Sequence, residues 1–132
     1  MVHPSGRSVL VVEDDFSSLE VLVMLMREEG LQVITASDGE EALERLATEP
    51  GVALVVTDYM MPKLNGIELC RKMRADERFR SIPVILMSAT FFEPLEDAPQ
   101  IVAVFGKPLL FDSLLAKMRE VLERPASFTP ST

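Results

Sequence analysis

The stretch VALVVTDYMMPKLNG, residues 52–66, begins with an apolar run that ends at Asp58, where a polar loop starts. An unbroken apolar run is typical of a central strand in a parallel sheet, because such a strand is buried on both faces. Pro62 and Gly66 indicate a loop, and a helical pattern follows from about residue 67 to residue 75. The stretch therefore predicts a strand, a loop and a helix, with a carboxylate at the carboxyl end of the strand.

Four further apolar runs flank this stretch and alternate with helical patterns. The runs cover residues 8–12, 31–36, 82–87 and 101–105. Helices are predicted from about Phe16 to Glu29, after Ser37 or Asp38 as the N-cap, and at the end of the chain with Asp112 as the N-cap. This alternation indicates an α/β fold, in which helices flank a five-stranded parallel sheet.

The segment between the fourth and fifth apolar runs departs from the pattern. Pro94 and Pro99 lie close together there, so the fourth helix must be reduced or distorted. We assign one domain to residues 8–124. Residues 1–7 and 125–132 are expected to be terminal tails, because neither helical nor strand periodicity extends into them.

The composition limits the classes of function. The 132 residues are 48% hydrophobic and 26% charged, which is typical of a globular domain. The apolar runs are far shorter than the roughly 20 residues that span a bilayer, and the start of the chain lacks a signal-peptide core, so we expect a cytoplasmic protein without membrane insertion. A net charge of −8 argues against direct binding of nucleic acid, which requires a basic face.

Polar side chains lie where the predicted strands end. They are Glu13, Asp14 and Asp15 after the first strand, Asp58 after the third, Ser88 after the fourth and Lys107 after the fifth. Any one of them is most simply a solvated loop residue. Ligands of open parallel sheets, however, bind at the carboxyl ends of the strands, so together these side chains predict one polar crevice.

Carboxylates gathered in one crevice repel each other, and either protonation or a bound cation relieves the repulsion, a divalent cation with oxygen ligands being the simplest solution. Mg²⁺, or Mn²⁺ in its place, prefers carboxylate oxygens together with water and phosphate oxygens, which suits Glu13, Asp14 and Asp58. Asp58 can then attack phosphorus as a carboxylate nucleophile. Lys107 and the Ser88 hydroxyl are suited to stabilise the phosphoryl oxygens. The residues therefore predict a phosphotransfer site.

Four motifs resemble those of response-regulator receiver domains. They are VVEDD at 11–15, TDYMMPKLNG at 57–66, MSA at 87–89 and Lys107-Pro108. The resemblance extends from about Ser8 to Leu122, and the four motifs occur in the expected order. It implies a doubly wound, flavodoxin-like sheet with strand order 2-1-3-4-5, and a cis peptide before Pro108.

The resemblance also implies a role for each site residue. Glu13 and Asp14 would hold Mg²⁺, with Asp58 and the backbone carbonyl of Met60 as further ligands. Asp58 would be phosphorylated by the phosphohistidine of a histidine kinase or histidine phosphotransfer protein, Ser88 would be the switch hydroxyl and Lys107 the site lysine. The protein would then be a signalling switch that acts on a downstream protein target, and not a turnover enzyme.

The sequence departs from the receiver pattern near the switch. Val104 stands where many receivers carry Tyr or Phe, and Phe105 is displaced by one position to the opposite face of its strand. The segment from Ser88 to Lys107 is also shorter than is typical of receivers. A degenerate receiver that binds a partner without phosphorylation therefore remains an alternative.

The first helix carries two neighbouring apolar lines. One line, with Ser18, Val21, Leu22 and Leu25, is expected to face the core. The second line, Leu19, Val23 and Met26, is either part of a broad core face or a docking surface for the phosphohistidine donor. Asp15 is interpreted as the residue that starts this helix and not as a metal ligand.

Two enzyme-like alternatives fit the residues less well. A phosphohydrolase of the haloacid-dehalogenase type needs an acid two residues after the nucleophile, where this chain has Met60. A flavodoxin-like electron carrier needs a phosphate-binding loop after the first strand, where this chain has three acids. Cys70 is interpreted as a small core residue.

Overall fold

The computed structural model of the chain describes residues 7–89 and 100–123. The elements follow one another as β1 (Ser8–Val12), α1 (Phe16–Glu28), β2 (Val33–Ala36), α2 (Gly39–Thr48), β3 (Val52–Asp58), α3 (Gly66–Arg74), β4 (Val84–Ser88), β5 (Ile101–Gly106) and α4 (Phe111–Leu122). The reduced or distorted helix that the sequence predicts between β4 and β5 is not α4. It falls at 90–99, outside the described residues.

The five strands form one parallel sheet in the order β2-β1-β3-β4-β5. The doubly wound fold and the strand order are therefore confirmed, and Lys107-Pro108 is cis as the resemblance implies. β2 begins two residues later than its apolar run, because the backbone N–H of Leu31 bonds to the carbonyl of Met26 and completes the end of α1.

Two apolar layers cover the two faces of the sheet. Successive residues of β1 point alternately into the two layers. Val9 and Val11 belong to the layer under α1 and α4, whereas Leu10 and Val12 belong to the layer under α2 and α3. Cys70 lies fully buried in the second layer, and burial raises the pKa of its thiol to about 12. The prediction that Cys70 is a core residue is confirmed.

Polar caps set the start of the first three helices. The side chains of Asp15, Asp38 and Asn65 each accept a hydrogen bond of 2.8 to 2.9 Å from the backbone N–H three residues later. The predicted cap of the last helix is wrong: α4 begins after Leu110, with Asp112 inside its first turn. The helix starts two residues earlier than predicted because Phe111 packs against the apolar layer of α1 and α4.

Within residues 7–89 and 100–123, no helix is both long enough and apolar enough to cross a bilayer.

Candidate functional site

The polar residues that follow the strands meet at one edge of the sheet. Asp58 is level with Met87 in the β3–β4 ladder, and Ser88 is level with Gly106 in the β4–β5 ladder. The backbone N–H of Lys107 donates to the carbonyl of Ser88 at 3.0 Å, so Lys107 directly follows the last residue pair of the β4–β5 ladder. The carboxyl ends of the neighbouring strands β3, β4 and β5 therefore bring Asp58, Ser88 and Lys107 together, as the sequence predicts.

Three carboxylates form the centre of the site. Glu13, Asp14 and Asp58 each offer one oxygen, and these three oxygens lie within 4.8 Å of one another. Glu13 and Asp58 are buried, whereas Asp14 is exposed, so the cluster opens to solvent on the side of Asp14. Hard carboxylate oxygens at this spacing are a suitable donor set for Mg²⁺ or Mn²⁺.

Lys107 brings a positive charge into contact with the cluster. Its Nζ lies 3.0 Å from Oδ2 of Asp58 and 3.3 Å from Oε1 of Glu13. Partial burial alone lowers the pKa of Lys107, but the hydrogen bond and charge of Asp58, followed by those of Glu13, outweigh burial and raise the pKa above its ordinary value. Lys107 is thus held in its charged form beside Asp58.

Glu13 is the most deeply buried carboxylate of the cluster. Burial raises its pKa, and the negative charge of Asp58 adds to this effect. The backbone N–H of Asp15, which donates to Oε2 of Glu13 at 3.0 Å, and the charge of Lys107 oppose the rise without cancelling it. The site therefore concentrates negative charge beyond what Lys107 neutralises, which favours a bound cation.

Gly66 lets α3 approach the end of β3 closely. A Cβ at Gly66 would lie 2.8 Å from the carbonyl oxygen of Asp58 and 2.6 Å from Cδ1 of Leu86. The backbone N–H of Gly66 donates to the carbonyl of Tyr59 at 2.8 Å, which closes the loop that follows Asp58. The glycine in this motif is therefore needed for close packing of the backbone behind Asp58.

The other predicted site residues lie on β4, on β5 and in the loop after Asp58. The Ser88 side chain is buried at the end of β4, while the Met60 side chain is 65% exposed in the loop after Asp58. Val104 is 37% exposed on β5, whereas Phe105 packs against the layer of α1 and α4. The two side chains thus point to opposite faces of the strand, as predicted. The roles of Met60, Ser88 and Val104 stay predictions.

Asp15 lies outside the carboxylate cluster. Its Oδ2 accepts the backbone N–H of Ser18 at 2.9 Å and caps α1. The interpretation of Asp15 as a helix-start residue is confirmed.

The proposed docking surface on α1 requires a correction. Val23 and Met26 are buried, and Leu19 packs against the core layer, so this line cannot be an exposed surface. The large apolar side chains that the helix exposes are Phe16, Val21 and Met24, at 70%, 51% and 53%, so the expectation that Val21 faces the core is wrong. The two apolar lines are only about 100° apart on the helix, and the buried face combines Leu22 of the first line with Val23 and Met26 of the second. Contact with the sheet, which the sequence pattern does not contain, decides this face.

The family model of the response regulator receiver domain matches residues 9–105, and the chain belongs to this family. The two-component response regulator ORR5 of Oryza sativa subsp. japonica is 37% identical over 81 residues, which cover 61% of this chain and 60% of that protein. This chain thus spans less than two thirds of that relative. Receiver domains are signalling switches of two-component systems and not turnover enzymes.

Solved structures show the same fold. The receiver domain of the Francisella response regulator 1452 has a TM-score of 0.80 and 29% identity, covering 89% of this chain and 98% of that one. The response regulator TrrA of Thermotoga maritima, solved in complex with Mg²⁺-BeF, has a TM-score of 0.77 and 28% identity, covering 87% of this chain and 98% of that one. Both are similar to this chain across nearly the whole receiver domain.

Proposed function

We propose that this receiver domain accepts a phosphoryl group on Asp58 from the phosphohistidine of a histidine kinase or histidine phosphotransfer protein. The observation that carries the proposal is the buried Asp58 carboxylate, 3.0 Å from Lys107 and grouped with Glu13 and Asp14. The Mg²⁺-BeF complex of TrrA supports Mg²⁺ as the cation. Glu13, Asp14, Asp58 and the Met60 carbonyl would hold it.

The chemistry is a displacement at phosphorus. A carboxylate oxygen of Asp58 forms a bond to phosphorus while the bond from phosphorus to the imidazole nitrogen breaks, and the electron pair stays on that nitrogen. Lys107 orients the Asp58 carboxylate and offers positive charge to the phosphoryl oxygens, and Ser88 can donate a hydrogen bond to them. When bound, Mg²⁺ screens the carboxylates from one another and from the incoming phosphoryl group.

Phosphorylation would act as a switch. A phosphoryl group beside Ser88 and Lys107 shifts the equilibrium between two conformations that present different surfaces. Ser88 and Val104 are the expected switch positions. A downstream protein target, the lack of direct nucleic-acid binding and a cytoplasmic location stay predictions.

Intact-mass analysis with a small phosphodonor tests the proposal. We expect incubation with acetyl phosphate and Mg²⁺ to add one phosphoryl group, and EDTA to prevent the addition, because the carboxylate cluster repels the donor when no cation is bound. No addition with either Mg²⁺ or Mn²⁺ would contradict the proposal. The degenerate receiver that binds without phosphorylation would then be the better description.

The exposed side of α1 is the expected docking surface for the phosphohistidine donor. Phe16, Val21 and Met24 are apolar and at least half exposed. Phe16 also begins the helix that directly follows the Glu13–Asp15 loop of the site. An exposed apolar surface beside a reactive group is typical of a protein interaction site.

Val21→Glu is expected to slow phosphotransfer from a phosphohistidine donor about tenfold, because the interface would have to bury an unpaired carboxylate. Phosphorylation by acetyl phosphate should stay within about twofold of the natural protein, since the small donor needs no docking surface. Gln32→Glu adds the same charge on an exposed side chain before β2, at the other end of the sheet, and should change neither rate. An equal loss of both rates in Val21→Glu would rule out a docking role.

A further inference from the structure

The loop after Asp58 contains a strained turn at Lys63. The backbone N–H of Leu64 donates to the carbonyl of Pro62 at 2.8 Å, and Lys63 between them has a φ of 71°. This hydrogen bond across a single residue with positive φ defines the rare and strained form of the γ-turn. Within residues 7–89 and 100–123, Lys63 is the only residue other than glycine with a positive φ.

Glycine would adopt this φ without steric cost, so contacts around Lys63 must offset strain that glycine would avoid. The Lys63 Nζ lies 3.6 Å from Oδ2 of Asp38 and 3.8 Å from Oε1 of Glu40. Asp38 is the N-cap of α2, and its other oxygen accepts the backbone N–H of Glu41 at 2.8 Å. The Lys63 side chain therefore connects the strained turn to the start of α2.

Close packing strengthens this connection. A Cβ at Gly39 would lie 2.5 Å from Cβ of Leu64 and 2.9 Å from the Leu64 carbonyl oxygen. The first turn of α2 and the turn at Lys63 are therefore in contact at a position where even a methyl group does not fit. An ion pair made by an exposed lysine is weak alone, but here both ion pairs act on a segment that is already packed.

We propose that Lys63 is a positioning residue for the cation site. The inference rests on the proposed function, because the loop that the lysine fixes contains Met60, the expected carbonyl ligand. Tyr59 fixes the start of this loop by donating its backbone N–H to the carbonyl of Met87 at 2.8 Å. The Lys63 connection to α2 fixes the other side, so that cation binding does not have to order a free loop.

Variants at Lys63 separate the backbone turn from the side-chain connection. Lys63→Arg keeps the charge, and Lys63→Gly accepts the positive φ without the charge. Lys63→Val removes the charge and also disfavours the turn, because a β-branched residue is strongly disfavoured at positive φ. We expect Mg²⁺ affinity within about twofold of the natural protein for Lys63→Arg, about threefold weaker for Lys63→Gly and about tenfold weaker for Lys63→Val. Lys117→Val is the control, because Lys117 is also ion-paired, to Glu120 at 3.0 Å, but lies on α4.

Mg²⁺ titrations followed by tyrosine emission give the affinities, since the chain has one tyrosine, Tyr59, and no tryptophan. Thermal denaturation of the same variants identifies a merely structural role, which would lower the midpoint and leave the Mg²⁺ affinity unchanged. Should Lys63→Val not fold, an unchanged affinity in Lys63→Gly would overturn the inference. Natural protein that binds no Mg²⁺ would instead overturn the proposed function, so the two failures are distinguishable.

Discussion

Asp58→Asn is expected to abolish the gain of a phosphoryl group from acetyl phosphate and from a phosphohistidine donor. Asn has the shape of Asp, but its neutral amide is a poor nucleophile toward phosphorus. The substitution also removes one of the three carboxylates, so Mg²⁺ binding should weaken. Intact-mass analysis under saturating donor and Mg²⁺ measures the loss directly.

The fold should survive this substitution. Lys107 keeps its contact with Glu13 at 3.3 Å, so no buried charge is left without a partner. Asp76→Asn is the matched control: Asp76 lies in the loop after α3, where it pairs with Arg78 at 2.8 Å, and its loss should leave phosphorylation unchanged. If Asp58→Asn still gained a phosphoryl group, another residue would be the acceptor, and the exposed Asp14 would be the first to test.

The fold was predictable because its main determinants are local in sequence. Each central strand is a continuous apolar run, and the alternation of such runs with helical patterns leaves few arrangements other than a parallel sheet between helices. The site followed from the same reasoning, since the carboxyl ends of parallel strands lie at one edge. Asp58 and Lys107 could therefore be placed together although β4 separates them in the sheet.

Features decided by tertiary contact were not predictable. The buried side of α1 depends on how the helix rests on the sheet, and both of its apolar lines have helical spacing. The start of α4 depends on the packing of Phe111, which overrides the capping preference of Asp112. The positive φ of Lys63 was missed because lysine gives no local signal for it, whereas the two ion pairs to α2 become visible only in the structure.

Gly66→Ala is expected to destabilise the protein by about 1 to 3 kcal/mol, the usual effect of overpacking a close contact. Alanine is the better helix former by roughly 0.5 to 1 kcal/mol. The overlap is more costly, because two of the three nearest neighbours of the new Cβ are backbone atoms, the Asp58 oxygen at 2.8 Å and the Tyr59 Cα at 3.2 Å. Backbone cannot rotate away as a flexible side chain can, so α3 or the end of β3 must move.

That movement gives Gly66→Ala a second expected effect, because the backbone oxygen that the new Cβ would displace belongs to Asp58, the expected phosphoacceptor. We expect phosphorylation by acetyl phosphate to slow about tenfold or more, since small errors in the position of a reacting group are costly. Gly106→Ala is the matched control: its Cβ would meet no atom within 4 Å, although Gly106 ends β5 beside the same site. Urea denaturation and the phosphorylation rates of Gly66→Ala and Gly106→Ala test both expected effects. If the two variants had the same stability and the same phosphorylation rate, close packing at Gly66 would not position Asp58. The glycine would then matter only for the conformation of its own backbone.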